Sequence, residues 1–455
     1  MANTYLTRTS GTPTNALKWT FSCWVKMSGI SEDMYILDFF TNSTNRAKIG
    51  FSNTGDFMVF EEVGSATSQS LRTNALHRDS GAWYNFVVAC DRTLGTTADR
   101  TKVYINGVQQ TSFSTATYPS QNVTGIINTA VSTAIGKNLN GTSYFNGLMS
   151  HVHFIDGTAY PASTFGSVDS TSGIWSINTA PSVTYGNNGF FILKDGNTIT
   201  DQSGESNDFS LGGGTLTKTE DCPDNNFATL NPLIKASNQP TFTNGNTTVI
   251  SPSGTNARYG GTLGMTSGKY YYEVKLLGSI SNGGFGAGIL NIDSFNFNTT
   301  SGISTSSNYI GVVVNSLGGT NNFYIQHGGA TNDFSQTLSV GMIIGHAIDM
   351  DNGYYYVHNN GVYINSGDPT SGATGTGNIN RTGNLNYDFS NLTMVVGGTS
   401  QNVDYGSFNF GNGTFGTTAV TTNSGNGYAG TDGKSIFNYQ PPTGYSALST
   451  KGLNL

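Results

Sequence analysis

The stretch Gly341–Asn365, GMIIGHAIDMDNGYYYVHNNGVYIN, predicts three consecutive β-strands joined by two tight turns. Met342–Met350 is a short run with β-branched residues, Asp351-Asn352-Gly353 is a turn, and Tyr354–His358 is aromatic and β-prone. Asn359-Asn360-Gly361 turns the chain again into Val362–Ile364. Asn and Gly tolerate the positive φ that tight hairpin turns need, so the pattern is that of a meander.

The same logic recurs in the N-terminal half. Lys102-Val-Tyr-Ile-Asn106-Gly107-Val108 places an Asn-Gly turn after a strand, and Trp83–Ala89, WYNFVVA, is too apolar to have one side in water, which makes it a central strand. With 455 residues the chain exceeds one sandwich of usual size, and two units of about 200 residues are the natural division. Sixty Gly, 12% aromatic and only 10% charged residues suit many short strands joined by polar turns. No window of ten or more residues shows a 3.6-residue apolar period with good helix formers. The 26 Phe and 23 Tyr are spread through both halves and supply each with a core.

A net charge of −7 with 20 scattered Lys and Arg disfavours nucleic-acid binding through phosphate neutralisation. No run approaches the roughly 18 apolar residues that span a bilayer, and Met1-Ala-Asn-Thr lacks the features of a signal peptide, so no membrane insertion is expected and folding is expected in the cytoplasm of synthesis. Cys23, Cys90 and Cys222 form no metal-type spacing, and an odd count is no disulfide framework; buried free thiols are the expectation.

Along the chain, Trp19–Lys26, WTFSCWVK, alternates with Phe21, Cys23 and Val25 on one face. Met34–Phe40, Ala47–Phe51, Phe57–Glu61, Trp83–Asp91, the Lys102–Gln110 hairpin, Ser132–Gly136 and Phe145–Ile155 follow as short strands at sandwich-like spacing, with Phe190–Leu193 as a closing strand. WTFSCWVK, WYNFVVACD, VYINGVQ, AIGK and YFNGLMSHVHFIDGTAY, in this order, resemble the laminin-G-like/concanavalin-A-like lectin sandwich over about residues 3–200. Residues 201–248 turn Gly/Asn/Asp/Thr-rich, with Pro223, Pro232 and Pro240, and read as a linker that Phe227–Leu233 anchors. Beyond it, GKYYYEV (268–274), FGAGI (285–289), YIGVVV (309–314), IDMDNG, the NNG turn and YGSFNFG (405–411) are similar to a SPRY domain over about residues 250–450. The ending FNYQPPTGYSAL (437–448) resembles the end of SPRY modules in proteins of marine tailed phages. The expected fold is thus all-β: two antiparallel β-sandwich domains of concanavalin-A-like jelly-roll type, 1–200 and 249–455, joined by the linker 201–248.

Candidate chemistry is sparser. Glucanases of this sandwich class carry Glu-x-Asp-x-(x)-Glu on one strand, and none of Glu32, Glu61, Glu62, Glu205, Glu220 and Glu273 is followed two residues later by Asp, so a glycan hydrolase ranks behind a binding protein. His151-Val-His153 places two imidazoles at i and i+2, on one strand face, but sequence places no third ligand and packing is the preferred reading. Asp38, Asp91 and Asp156 stand at strand ends and are the candidate oxygen ligands for calcium, against the plainer role of turn residues. Sugar faces stack on aromatic rings while hydroxyls need fixed partners, which singles out the turn-flanking Tyr118, Tyr144, Trp175 and Tyr259 as candidate ligand-binding residues against simple packing.

The phage resemblance implies a non-enzymatic virion surface protein, made in the host cytoplasm and bound to other virion proteins. A tail fibre or tip contacting a host cell-surface glycan or receptor is the leading expectation, and capsid decoration or a head fibre the alternative. No cofactor is required, calcium is the one ion in question, and a homo-oligomer, such as a trimer, fits a virion appendage.

Overall fold

The computed structural model describes residues 3–30, 32–194, 196, 198–234, 236–278, 284–299, 303, 306–317, 320–337, 339–401, 405–420 and 428–454. The chain divides into two compact units, Met1–Lys218 and Thr219–Leu455. Among the described residues both units are built of strands, turns and short 3₁₀ segments, without an α-helix.

The first unit contains β1 (Tyr5–Thr9), β2 (Lys18–Met27), β3 (Met34–Asn42), β4 (Asn45–Phe51), β5 (Asp56–Val63), β6 (Ala66–Leu76), β7 (Tyr84–Asp91) and β8 (Thr101–Ile105). It continues with β9 (Val108–Gln109), β10 (Phe113–Thr117), β11 (Ser132–Ile135), β12 (Gly147–Asp156), β13 (Gly166–Val168), β14 (Trp175–Ile177), β15 (Phe190–Ile192) and β16 (Ser210–Gly213). An eight-stranded sheet runs β10-β6-β5-β4-β3-β11-β1-β16 and a six-stranded sheet runs β15-β12-β2-β7-β8-β9. Alternate residues of both sheets meet in one core: Phe21, Cys23 and Val25 of β2 and Phe86 and Val88 of β7 join Phe39, Ile49, Phe57, Val59 and Leu71 of the larger sheet. That alternation is what the pleat requires of two packed sheets.

The six-stranded sheet is buried on both faces, so Thr20, Ser22 and Trp24 are as inaccessible as their inward neighbours. The reason is a second, smaller cluster in which Ala162, Phe165 and Tyr185 pack with Val87, Ile155 and Phe191 on the sheet's outer side. Cys23 pairs with Phe86 and Cys90 with Trp19 on the β2·β7 ladder, so the two buried thiols lie four rungs apart and remain free.

The second unit contains β17 (Thr241–Thr243), β18 (Thr248–Ile250), β19 (Ala257–Met265), β20 (Lys269–Leu276), β21 (Phe285–Asn291), β22 (Tyr309–Leu317), β23 (Thr320–His327) and β24 (Ala330–Asp333). Then come β25 (Ile343–Asp349), β26 (Tyr354–Asn359), β27 (Val362–Tyr363), β28 (Met394–Ser400), β29 (Tyr405–Asn409), β30 (Thr414–Phe415), β31 (Thr418–Ala419) and β32 (Ser446–Ala447). One sheet is ordered β17-β18-β29-β20-β25-β26-β27, with β32 lying parallel to the start of β20, and the other β19-β28-β21-β22-β23-β24. The meander expected from residues 341–365 is β25-β26-β27, antiparallel throughout. In β20, Tyr270, Tyr272, Val274 and Leu276 enter the core between the sheets. Tyr271 faces the other way into a separate cluster with Ala347, Tyr356, Phe227 and the C-terminal residues Phe437, Tyr445 and Ala447.

The expected linker over 201–248 is corrected. Residues 210–213 form β16 on the edge strand β1 of the first unit, while β17 and β18 belong to the second. Single apolar residues hold this polar stretch in place: Phe209 is buried in the first core, and Phe227 and Leu230 in the second unit. The boundary falls instead between Lys218 and Thr219.

Candidate functional site

On the eight-stranded sheet of the first unit, Phe39, Ala47, Ile49, Phe57 and Val59 point into the core, so the residues between them point outward. The ladders align two neighbouring rungs of that outer face: Asp38, Lys48 and Phe60 on one, and Phe40, Arg46 and Glu62 on the next. Across β3, β4 and β5 these six side chains form a patch about 10 Å wide and about 7 Å along the strands. Phe40, Phe60, Lys48, Arg46 and Glu62 are all half-buried, with one side packed and one presented.

The polar members are held in place. Arg46 Nε donates to Glu62 Oε2 at 2.8 Å. Lys48 Nζ lies 4.6 Å from the centre of the Tyr35 ring and 3.5 Å from its hydroxyl, which in turn donates to Asp33 at 3.1 Å. Burial, followed by the charge of Arg46, holds the Lys48 amine below its usual range. Asp38 is the floor of the patch, only 1% exposed, and Leu139 N–H donates to its Oδ1 at 3.3 Å. Burial pushes its carboxyl up to about 7, against the opposing pull of that N–H, Lys48 and Arg46. The backbone beside the patch is tight: a bulge between Tyr35 and Leu37 brings Met34 O to 2.1 Å from where a Cβ on residue 50 would stand, so β4 carries Gly50 there.

Of the aromatic residues singled out from sequence, two serve packing. Tyr259 lies on β19 rather than in a loop, is fully buried in the second unit's core, and donates its hydroxyl to Gly286 O at 2.6 Å. Trp175 covers the outer side of the six-stranded sheet, where its Nε1–H donates to Asn85 Oδ1 at 3.2 Å. Its ring fits against Gly107, where any Cβ would lie 2.4 Å from it. Tyr118 is half-buried against the first core. Tyr144 is half-buried beside Tyr5, their rings 6.0 Å apart, with Lys137 Nζ over both at 5.4 and 4.4 Å.

The three aspartates are separate features. Asp91 pairs with Lys18 at 3.0 Å and caps the turn at Thr93 with a 2.9 Å bond. Asp156 organises loop ends: it accepts from Thr14 N–H at 2.5 Å, Asn15 N–H at 3.1 Å, Asn188 N–H at 3.2 Å and Asn128 Nδ2 at 2.7 Å. Among the described residues no three His, Cys, Asp or Glu side chains converge as a metal site would require. A bulge between Ser150 and His153 gives His151 a φ of 50°, yet the two imidazoles lie 6.5 Å apart against the same Phe191 ring, His151 at 5.7 Å from it. His153 is packed in, stacked on Phe191 with ring centres 3.9 Å apart and bonded to the Tyr185 hydroxyl at 2.9 Å.

Sequence reading therefore missed five of the six patch residues. The usable signal was the alternation of FMVFEEV, which sends Phe60 and Glu62 outward once Phe57 and Val59 are placed inside.

A laminin G family model, described as the concanavalin A-like lectin/glucanases superfamily, matches residues 2–163. The first unit has a concanavalin A-like fold. No curated protein matches the chain. Among solved structures, the SPRY domain of human HERC1 is similar at 16% identity, covering 37% of this chain and 91% of that one, with a TM-score of 0.26. Domain 4 of AbnA, an extracellular arabinanase of Geobacillus stearothermophilus solved with arabinotriose, is similar at 20% identity over 32% of this chain and 64% of that one, TM-score 0.24. A heptameric SAP-like pentraxin from Limulus polyphemus is similar at 15% identity over 47% and 91%, TM-score 0.28.

Proposed function

We propose that this chain is a non-enzymatic virion surface protein of a tailed phage, part of a tail fibre or its tip, that attaches to host-surface glycan through the outer face of β3, β4 and β5. The observation that carries the binding half is the patch itself: two half-buried phenylalanine rings on a rigid sheet, with Lys48, Arg46 and Glu62 fixed between them. Rings offer apolar faces to a sugar, and pre-positioned ionic groups serve its hydroxyls without an ordering cost at binding. The concanavalin A-like family match supports a lectin-type role. The phage half rests on the resemblance of the 437–448 ending to phage SPRY modules.

Catalysis is disfavoured by the state of the carboxylates. Asp38 is only 1% exposed and Glu62 is tied to Arg46, so the patch presents no exposed pair of carboxylates to a bound glycosidic bond. No metal is needed in this reading, because every recognition group is a side chain; chelation with EDTA should leave binding unchanged.

Antibody labelling of intact virions, viewed by electron microscopy, tests the location. Label at the tail end is the expected result. Label spread over the head would overturn the tail assignment and make the protein a capsid decoration. The purified chain on a glycan array tests the ligand: retention of defined glycans without release of reducing ends is expected, and cleavage would overturn the non-enzymatic reading.

A further inference from the structure

An asparagine followed by glycine is a reactive pair. With no Cβ to crowd it, the glycine nitrogen can reach the asparagine Cγ, provided that the side chain is free to fold over its own backbone. The chain has ten Asn-Gly pairs; those of Asn282 and Asn426 lie outside the described residues, and the other eight differ sharply in how they are held.

Six of the eight side chains are tied down by hydrogen bonds. Asn188 and Asn412 are buried, the first bonded to both backbone groups of Gly11 and the second to Phe410 N–H and Thr414 Oγ1. Asn106 and Asn360 each accept a backbone N–H through Oδ1, from Asn85 at 2.8 Å and from Ile343 at 2.9 Å. Asn352 Nδ2 donates to Asp349 Oδ2 at 2.9 Å, and Asn244 Nδ2 to Thr248 Oγ1 at 3.2 Å. Asn146 is held through its backbone instead. It is half-buried, Ser28 N–H donates to its carbonyl at 2.9 Å, and Gly147 stands in the β12·β2 ladder opposite Met27.

Asn140 is restrained in neither way. It is exposed, as is Gly141, at the tip of a hairpin closed by a bridge between Lys137 and Tyr144. Among the described residues its side chain takes no hydrogen-bond partner; only its N–H is engaged, on Asn138 Oδ1 at 3.0 Å. The Gly141 N–H donates to Asn138 O at 3.1 Å. One exposed turn bond therefore separates the Gly141 nitrogen from the Asn140 amide, and such bonds at loop tips open at little cost.

We propose that Asn140 is a site of spontaneous deamidation, the fastest among the described Asn-Gly pairs. The Gly141 nitrogen attacks Asn140 Cγ and gives up its proton. The bond from Cγ to the side-chain nitrogen breaks, and that nitrogen leaves with the proton as ammonia. Water then opens the resulting succinimide at one of its two carbonyls. Opening at the main-chain carbonyl yields an isoaspartyl link, which carries one more carbon in the backbone; opening at Cγ yields aspartate. Either product replaces a neutral amide with a carboxylate. The new charge stands next to Leu139, whose N–H donates to Asp38 at the floor of the face formed by β3, β4 and β5. Nothing in the reaction depends on a ligand for that face.

The test is to age the full-length protein for weeks in mildly alkaline buffer and to follow it by peptide mass spectrometry, with chromatography separating aspartyl from isoaspartyl forms. Asn140 is expected to convert several times faster than Asn146, Asn244 or any other described pair, while a more acidic charge variant accumulates on ion exchange. Gly141→Ala, whose Cβ would meet only the Asn138 side chain, at 3.1 Å, is expected to slow the conversion several-fold. The proposal is overturned if Asn140 stays intact, if it converts no faster than the other described pairs, or if a folded Gly141→Ala ages at the wild-type rate. The wild-type map decides even if that variant fails to fold.

Discussion

The two units each present one large sheet with a face turned away from its core, and they treat that face in opposite ways. In the first unit the outer face of β3, β4 and β5 holds half-buried rings and ion pairs. In the second, the outer face of β20, β25 and β26 lies beneath Phe437, Tyr445 and Ala447. Their buried glutamates differ in the same spirit. Glu61 points inward from β5 and is paired with Arg92, which follows β7 of the opposite sheet, at 2.6 Å, with Ile126 and Ile127 N–H also on its Oε1 at 2.8 and 3.1 Å. Burial alone would raise its carboxyl, but Arg92, Ser68 and the Ile127 amide outweigh it and hold the group below its ordinary value. Glu273 has the same pair of consecutive amides without the cation, and burial wins. The lesson is that an amide pair positions a carboxylate, whereas a nearby cation decides its charge.

The largest expected effect is on the covered face. Phe437→Ala should destabilise the second unit by about 3–5 kcal/mol, the usual cost of emptying a fully packed aromatic site, whereas Phe60→Ala on the open face should cost about 1 kcal/mol or less. All four tryptophans, Trp19, Trp24, Trp83 and Trp175, lie in the first unit, so urea unfolding followed by tryptophan fluorescence reads that unit and far-UV circular dichroism adds the other. Equal losses from the two substitutions would erase the distinction between the faces.

Next in size is the pH dependence. Glu273 binds its proton more tightly folded than unfolded, so its contribution is full below about pH 4.5 and is lost as pH rises toward 7, by up to about 3 kcal/mol. Glu61 has the reverse sign, with stability present above about pH 4.5 and lost as pH falls through its lower folded value. The second-unit urea midpoint of wild type relative to Glu273→Gln should accordingly fall between pH 4 and pH 8. That comparison cancels His346 and His358, which burial keeps neutral and whose contributions run the other way. The first unit should also lose stability toward pH 7 through Asp38, unless Asp38→Asn removes that contribution. A flat difference between wild type and Glu273→Gln would mean that Glu273 is no more perturbed than Glu61.

Smaller still, Phe60→Ala should weaken glycan binding about tenfold, or about 1.4 kcal/mol, in a titration against an array hit. Smallest is Arg46→Gln, which breaks a partly exposed ion pair and should change stability by less than about 1 kcal/mol. A cost several times larger would show that the open face is a structural device like the covered one.

What could be read in advance divides along the same line between local and non-local. The β25-β26-β27 meander was legible because Asp351-Asn-Gly and Asn359-Asn-Gly carry their turns in their own residues, and WTFSCWVK because alternation is local. β19 was not, since ARYGGTLGM hides a strand behind three glycines; its Tyr259 consequently read as a loop aromatic although it is core. The 201–248 stretch read as linker because its few anchors, Phe209, Phe227 and Leu230, act through partners far along the chain. The patch was invisible for a related reason: each strand shows which residues face out, but only the ladder register sets Asp38, Lys48 and Phe60 side by side. Asp38 was named from its strand-end position and turned out to be the buried floor of that patch.

The most direct measurement is glycan binding by the full-length protein, comparing wild type, Phe40→Ala/Phe60→Ala and Tyr144→Ala on the same array. If the outer face of β3, β4 and β5 is the receptor surface, the double substitution abolishes binding while Tyr144→Ala leaves it intact. Binding that survives loss of both rings, or that disappears with Tyr144 alone, would contradict it.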